Sequence, residues 1–154
     1  VSTEPHVLVV EARFYEDIAD ELATGAIAVL DRAGASFERC AVPGAFEVPA
    51  AIRFAVNAME TGVAPRPFDG FVALGCVIRG ETDHYEHIAR EVSRALMELT
   101  VHHHVALGFG ILTCATWEQA WTRAAVNQMN KGGDAAAACL RMIELQRSMR
   151  LVAR

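Results

Sequence analysis

The chain has 154 residues, of which 53% are apolar and 21% charged, with a formal net charge of -5. That length supports a single domain over 1–154 with a full core and excludes a disordered chain. The acidic balance with no basic cluster gives no basis for a nucleic-acid partner. No apolar run approaches the roughly 18 residues of a membrane helix, so no membrane partner is expected either.

Residues 6–12 (HVLVVEA) form a short Val-rich run suited to a strand covered on both faces. No basic region precedes it, so no signal peptide is expected. Arg13, Phe14 and Tyr15 follow. Ile18, Leu22, Ala26, Val29, Leu30 and Ala33 then recur at helical spacing, and Gly34 ends that helix. Residues 36–42 (SFERCAV) read as a second strand, broken by Pro43 and Gly44. Residues 45–59 have the content of a helix, with Pro49 tolerable only in its first turn.

Residues 61–67 (TGVAPRP) are a loop by composition, and 71–77 are a third strand. A helix runs from Asp83 to about Val101, striped by Ile88, Val92, Leu96 and Leu99, and His102 to His104 close it. Residues 105–113 (VALGFGILT) make a fourth strand. The pattern from Thr116 to Gln119 is a capping box opening a helix towards Met129. Residues 130–134 (NKGGD) interrupt the helical pattern, and 135–149 form a last helix. Alternating strands and helices predict a parallel sheet between helix layers, with right-handed crossovers. In such sheets ligands sit beyond the C-terminal strand ends, near the topological switch point. The candidate positions there are Phe14, 44–47, 76–84, and the residues around Phe109 and Cys114.

The stretch 76–84 (CVIRGETDH) is the most informative of these. A turn from strand into helix, with Gly80 at its tightest point, presents free backbone N–H groups to an anion, usually phosphate. His84, in the first turn of the helix, is placed to exchange protons with whatever the turn holds. Phe14 is either core or a flat platform for an aromatic ring. Glu47 either places negative charge at a helix N-terminus or accepts hydrogen bonds from ligand hydroxyls. Arg123 and Lys131 are surface charges or phosphate partners, Arg123 having the better fork of donors.

His102 to His104 cannot all face one ion on a regular element, and His84 with His87 lacks a third ligand, so no metal site is assigned. Trp117 and Trp121, one helical turn apart, read as core or subunit-contact residues. Cys40, Cys76, Cys114 and Cys139 contain no CxxC pair and read as free thiols in a reducing cytoplasm.

Together the segments ARF (12–14), VPGAFEVP (42–49), ALGCVIRGETDHYE (73–86), GFGILT (108–113), EQAWTRA (118–124) and NKGGDAA (130–136) resemble the lumazine synthase family. They are collinear across almost the whole chain. The resemblance implies a flavodoxin-like three-layer α/β/α sandwich on a four-stranded parallel sheet of order 2-1-3-4. It also implies a homo-oligomer, a pentamer or a multiple of one, with active sites between subunits. The implied reaction condenses 5-amino-6-(D-ribitylamino)uracil with 3,4-dihydroxy-2-butanone 4-phosphate to 6,7-dimethyl-8-ribityllumazine, without a cofactor. Riboflavin synthase is the protein partner considered.

Residue by residue, the resemblance makes Phe14 the ring that stacks on the pyrimidine. Ala45, Phe46 and Glu47 become ribityl and ring contacts, and Cys76, Val77 and Ile78 read the pyrimidine edge. Gly80, Glu81 and Thr82 hold the phosphate substrate, and His84 moves protons. Phe109 and Arg123 are supplied by a neighbouring subunit, Arg123 to phosphate, and Lys131 lies near the pyrimidine. Three positions depart from the family pattern: Cys76 stands where Thr or Ala is common, Tyr15 replaces a frequent Asn, and Glu81 puts a carboxylate beside a phosphate. A flavin or lumazine carrier on the same scaffold is the alternative reading.

Overall fold

In the computed structural model, residues 4–149 are described; 1–3 and 150–154 of the expected single domain lie outside the described residues. The strands are β1 (His6–Ala12), β2 (Ser36–Val42), β3 (Gly70–Ile78) and β4 (Leu107–Cys114). The helices are α1 (Glu16–Arg32), α2 (Val48–Glu60), α3 (His84–His102), α4 (Trp117–Ala124) and α5 (Lys131–Ser148). All four strands are parallel in the order β2-β1-β3-β4, the flavodoxin-like arrangement. Because β2 and β3 leave β1 on opposite sides, the topological switch point lies between β1 and β3.

Strand alternation distributes the core to the two sheet faces. Val7, Val9, Val72, Leu74 and Cys76 meet α1, α4 and α5 through Ile18, Leu22, Ala120, Ala124, Cys139 and Ile143. Leu8, Val10, Phe71, Ala73 and Val77 meet α2 and α3 through Ile52, Val56, Val92, Leu96 and Leu99. β1 is buried at all seven positions and β3 at eight of nine, as expected for central strands covered on both sides. Among the described residues no helix is long and apolar enough to cross a membrane.

Four expectations need correction. The helix expected from residue 45 begins with a 3-10 turn, Ala45–Glu47, and becomes α-helical at Val48 with Pro49 in its first turn. The fourth strand starts at Leu107 rather than 105, since the Val105 N–H is still bound to the Leu99 carbonyl at the end of α3. Helix α4 stops at Ala124 instead of reaching Met129. The chain turns off at Ala125 (ψ 127°), and the Val126 N–H is taken by Glu21 Oε1 of α1 at 3.0 Å.

The NKGGD stretch does not interrupt a helix; it starts α5. Asn130 adopts the left-handed conformation and its side chain accepts from the Gly133 N–H at 3.4 Å. Glycine is needed at 132 for packing, because a Cβ there would lie 2.0 Å from the Leu22 carbonyl oxygen of α1. Two helix backbones touch at that point, and only a residue without a side chain permits it.

Candidate active site at the C-terminal strand ends

The ends of the four strands are tied to one another. The Arg13 N–H donates to the Val42 carbonyl at 3.1 Å, joining the ends of β1 and β2, and the Arg79 N–H donates to the Cys114 carbonyl at 2.9 Å, joining β3 and β4. At the switch point the approach is close: a Cβ on Gly75 would lie 2.9 Å from the Ala12 Cβ, 3.2 Å from Ile111 Cδ1 and 3.7 Å from the Ala45 Cβ. The connectors after β1, β2 and β3 therefore leave the same edge of the sheet, where Ala12, Ala45, Val77 and Tyr85 of α3 share one apolar cluster. These connectors carry Phe14, the turn Ala45–Glu47 and the turn 79–83, respectively.

Phe14 is not core: it is 73% exposed and touches Tyr15 edge-on, ring centroids 4.9 Å apart. Phe46 is also exposed, while Ala45 is buried. Glu47 Oε1 accepts from the Gly44 N–H at 2.9 Å, so one carboxylate oxygen holds the turn while the residue stays exposed. This is the helix-terminus reading of Glu47, and it leaves the carboxylate accessible to a further donor.

The turn after β3 is open to solvent from Arg79 to His84, including Gly80, Glu81 and Thr82. His84 opens α3, and its N–H donates to Thr82 Oγ1 at 3.3 Å. Gly80 is not in the left-handed region, and a Cβ there would meet nothing within 4 Å. The chain's own packing therefore does not require glycine at 80; free space lies over the turn.

Arg79, which the sequence reading did not single out, is ion-paired with Glu86, and its guanidinium lies 4.6 Å above the Tyr85 ring. Its position just before the glycine of a strand-to-helix turn was the available signal. Hydrogen bonding by the Glu86 backbone amide, then by Arg79, holds the Glu86 carboxyl below the usual carboxylate range.

Cys76 and Val77 are buried on opposite faces at the end of β3, with Ile78 half-buried beyond them. Burial, and then the neighbouring Cys114, pushes the Cys76 thiol up to about 12. It is protonated at neutral pH and unsuited to nucleophilic attack. Burial also raises the Cys114 thiol, opposed by the positive charge of Arg123. Arg123 Nη1 additionally donates to the Gln119 carbonyl at 3.2 Å. All four cysteines are free.

Other expected positions lie away from this convergence. Phe109 is not at the C-terminal strand end; it is the third residue of β4, pairs with Ala73 and is 49% exposed. Lys131 sits at the start of α5, ion-paired with Asp134 at 3.4 Å, on the side of the sheet covered by α1. His87 pairs with Asp83 at 3.2 Å, and His102 to His104 are exposed. Trp117 and Trp121 stack with centroids 5.5 Å apart, Trp121 against the core and Trp117 outward. Thr116 caps α4 by accepting from the Gln119 N–H at 3.1 Å, while Gln119 Oε1 accepts from the Ala115 N–H.

Comparison with known proteins bears on this arrangement. Residues 4–147 match the family model described as 6,7-dimethyl-8-ribityllumazine synthase. A protein of that name from Bartonella tribocorum is 54% identical over 144 residues, covering 94% of this chain and 91% of the relative. One from Nitrobacter hamburgensis is 52% identical over 142 residues (92% and 86%), and one from Methylorubrum extorquens 54% over 145 residues (94% and 83%). On that match along nearly its whole length, the chain belongs to the 6,7-dimethyl-8-ribityllumazine synthase family.

Proposed function

We propose that the chain, acting as one domain, carries out its family's reaction at the β1/β3 switch point. That reaction condenses 5-amino-6-(D-ribitylamino)uracil with 3,4-dihydroxy-2-butanone 4-phosphate to 6,7-dimethyl-8-ribityllumazine, releasing phosphate and water. The observation that carries the proposal is the convergence of an exposed aromatic ring, an accessible carboxylate, and an open glycine turn leading into a 19-residue helix.

In this reading Phe14 stacks on the pyrimidine, and Ala45, Phe46 and Glu47 receive the ribityl chain, Glu47 through the accessible part of its carboxylate. Cys76, Val77 and Ile78 meet the pyrimidine edge through backbone atoms, which suits a thiol that stays protonated. Gly80, Glu81 and Thr82 hold the phosphate with backbone N–H groups at the positive end of α3. The exposed Glu81 side chain turns to solvent when phosphate is bound. An arylamine attacks the ketone, a Schiff base forms, phosphate leaves, and the second amine closes the ring. Each step needs short proton transfers, which His84 supplies. Holding two reactants together contributes up to about 7–11 kcal/mol in favourable cases.

Family membership implies two small-molecule substrates and an oligomeric assembly. The finer reading is a cytoplasmic pentamer, or a multiple of one, whose product passes to riboflavin synthase. A neighbouring subunit would supply Phe109 and Arg123 to the site, with Lys131 near the pyrimidine. The exposure of Phe14, Phe46 and Phe109 in one chain supports a site completed by a second copy.

The test is to mix both substrates and follow lumazine absorbance, with sedimentation to separate about 5, 10 or 60 copies. His84→Ala is expected to slow turnover without abolishing it, and Arg123→Ala mainly to raise KM for the phosphate substrate. Tight lumazine binding without turnover refutes the enzyme reading in favour of a carrier, and the reverse ranking of the two variants refutes the division of roles.

A further inference from the structure

We propose that Arg13 is a positioning residue for the pyrimidine platform: its guanidinium, held by Glu11, Glu16 and Asp20, locks the connector on which Phe14 stands. The inference rests on the reading of Phe14 as the stacking ring. Only Arg13, Phe14 and Tyr15 separate β1 from α1. An aromatic ring that is 73% exposed is oriented by little packing beyond its edge-on contact with Tyr15, and Tyr15, the N-cap of α1, makes no side-chain capping bond. Something else must hold this connector.

Arg13 does so from both directions. Its N–H bonds the Val42 carbonyl. Its Nη1 donates to Glu11 Oε1 at 2.8 Å, and its Nη2 donates to Glu16 Oε2 at 3.1 Å and to Asp20. The fork thus bridges β1 to the first two turns of α1, spanning the three-residue connector that carries Phe14. The strand end of the bridge is itself fixed. Glu11 is 2% exposed, and Arg39 takes both its oxygens, Nε to Oε2 at 2.6 Å and Nη2 to Oε1 at 2.8 Å. A buried carboxylate is tolerable only when fully paired, so Glu11 cannot swing away to release Arg13. A lysine could not replace the fork, since it offers a point charge where three acids are gripped at once.

None of these groups contributes a reacting atom. Their effect is to have the ring in place before the substrate arrives, which lowers the ordering cost of binding. The variant Glu16→Ala/Asp20→Ala removes two exposed acids and leaves the buried Glu11 pairs intact, so it folds even where Arg13→Met does not. Steady-state kinetics with both substrates is the readout. The expected result is a KM for the pyrimidine substrate raised about fivefold, with kcat and KM for the phosphate substrate within about twofold. In a Phe14→Ala background the double change is expected to add nothing, and Arg13→Lys is expected to behave like Arg13→Met.

If Phe14→Ala raises the pyrimidine KM but the acid double variant does not, the positioning role is overturned and the platform reading survives. If Phe14→Ala leaves that KM unchanged, the platform reading itself fails. Full rescue by Arg13→Lys, or a double-variant effect that persists without the ring, also overturns the proposal.

Discussion

Replacing Gly80 by alanine separates folding from function at the proposed phosphate turn. The added Cβ meets no atom of the chain within 4 Å, and the backbone at 80 lies outside the left-handed region. The folded state should accept the methyl without strain. The unfolded chain loses conformational freedom, so stability is expected to stay level or rise by about 0.4–1 kcal/mol. With phosphate lying against the turn backbone, the same methyl occupies ligand space. Overpacking of that kind costs roughly 1–3 kcal/mol, which corresponds to a KM for the phosphate substrate raised about 5- to 150-fold. Thermal melting and steady-state kinetics on one preparation test both halves. An unchanged KM would falsify the placement of phosphate on this turn. A large fall in Tm would show instead that Gly80 is required for the fold.

Three further outcomes are expected. Gly132→Ala must push α1 and α5 apart, because its Cβ would lie 2.0 Å from the Leu22 carbonyl oxygen; a loss of about 3 kcal/mol in denaturant unfolding is expected, and a loss near zero would refute the backbone contact. The Cys76 thiol is raised to about 12 in the folded protein, so between the unfolded thiol value of about 8.5 and 12 the unfolded chain releases its proton first. Cys76 therefore makes stability fall as pH rises through that window; a Cys76→Ala variant with the same alkaline loss in denaturant titrations from pH 7 to 10 would contradict this. The Glu86 carboxyl is lowered, so its contribution is complete above the unfolded value and is lost as pH falls through the folded one. The Tm difference between the parent chain and Arg79→Ala should accordingly shrink from pH 7 to pH 3, and a difference independent of pH would rule out the pair.

Much of the fold was legible because the signals are local. The Val-rich run at 6–12 and the strand at 36–42 have the predicted boundaries, and the stripe Ile18, Leu22, Ala26, Leu30 lies on the buried face of α1. The parallel pairing followed from the alternation of strands and helices, and the order 2-1-3-4 from the family resemblance. The errors cluster where distant segments meet. NKGGD looks like a breaker because two glycines disfavour a helix in isolation; α1, more than a hundred residues earlier, makes glycine necessary at 132, and a Cβ at 133 would lie 2.6 Å from the Asn130 cap. Helix α4 ends early because Glu21 of α1 takes the Val126 N–H.

For the site, the chain's motifs by themselves determined which residue types lie after each strand: an aromatic, a Pro-Gly turn with a carboxylate, and a glycine turn leading to His84. Only the tertiary structure decided that three of these connectors converge, and that Phe109 and Lys131 stand apart from them. It alone revealed the Arg13 bridge, because the bond to Asp20 and the bidentate grip of Arg39 on Glu11 join residues with no local pattern between them. Periodicity records which face of an element is apolar. Which polar groups end up opposite one another is set by the register of neighbouring strands and helices, and that exists only once the chain has folded.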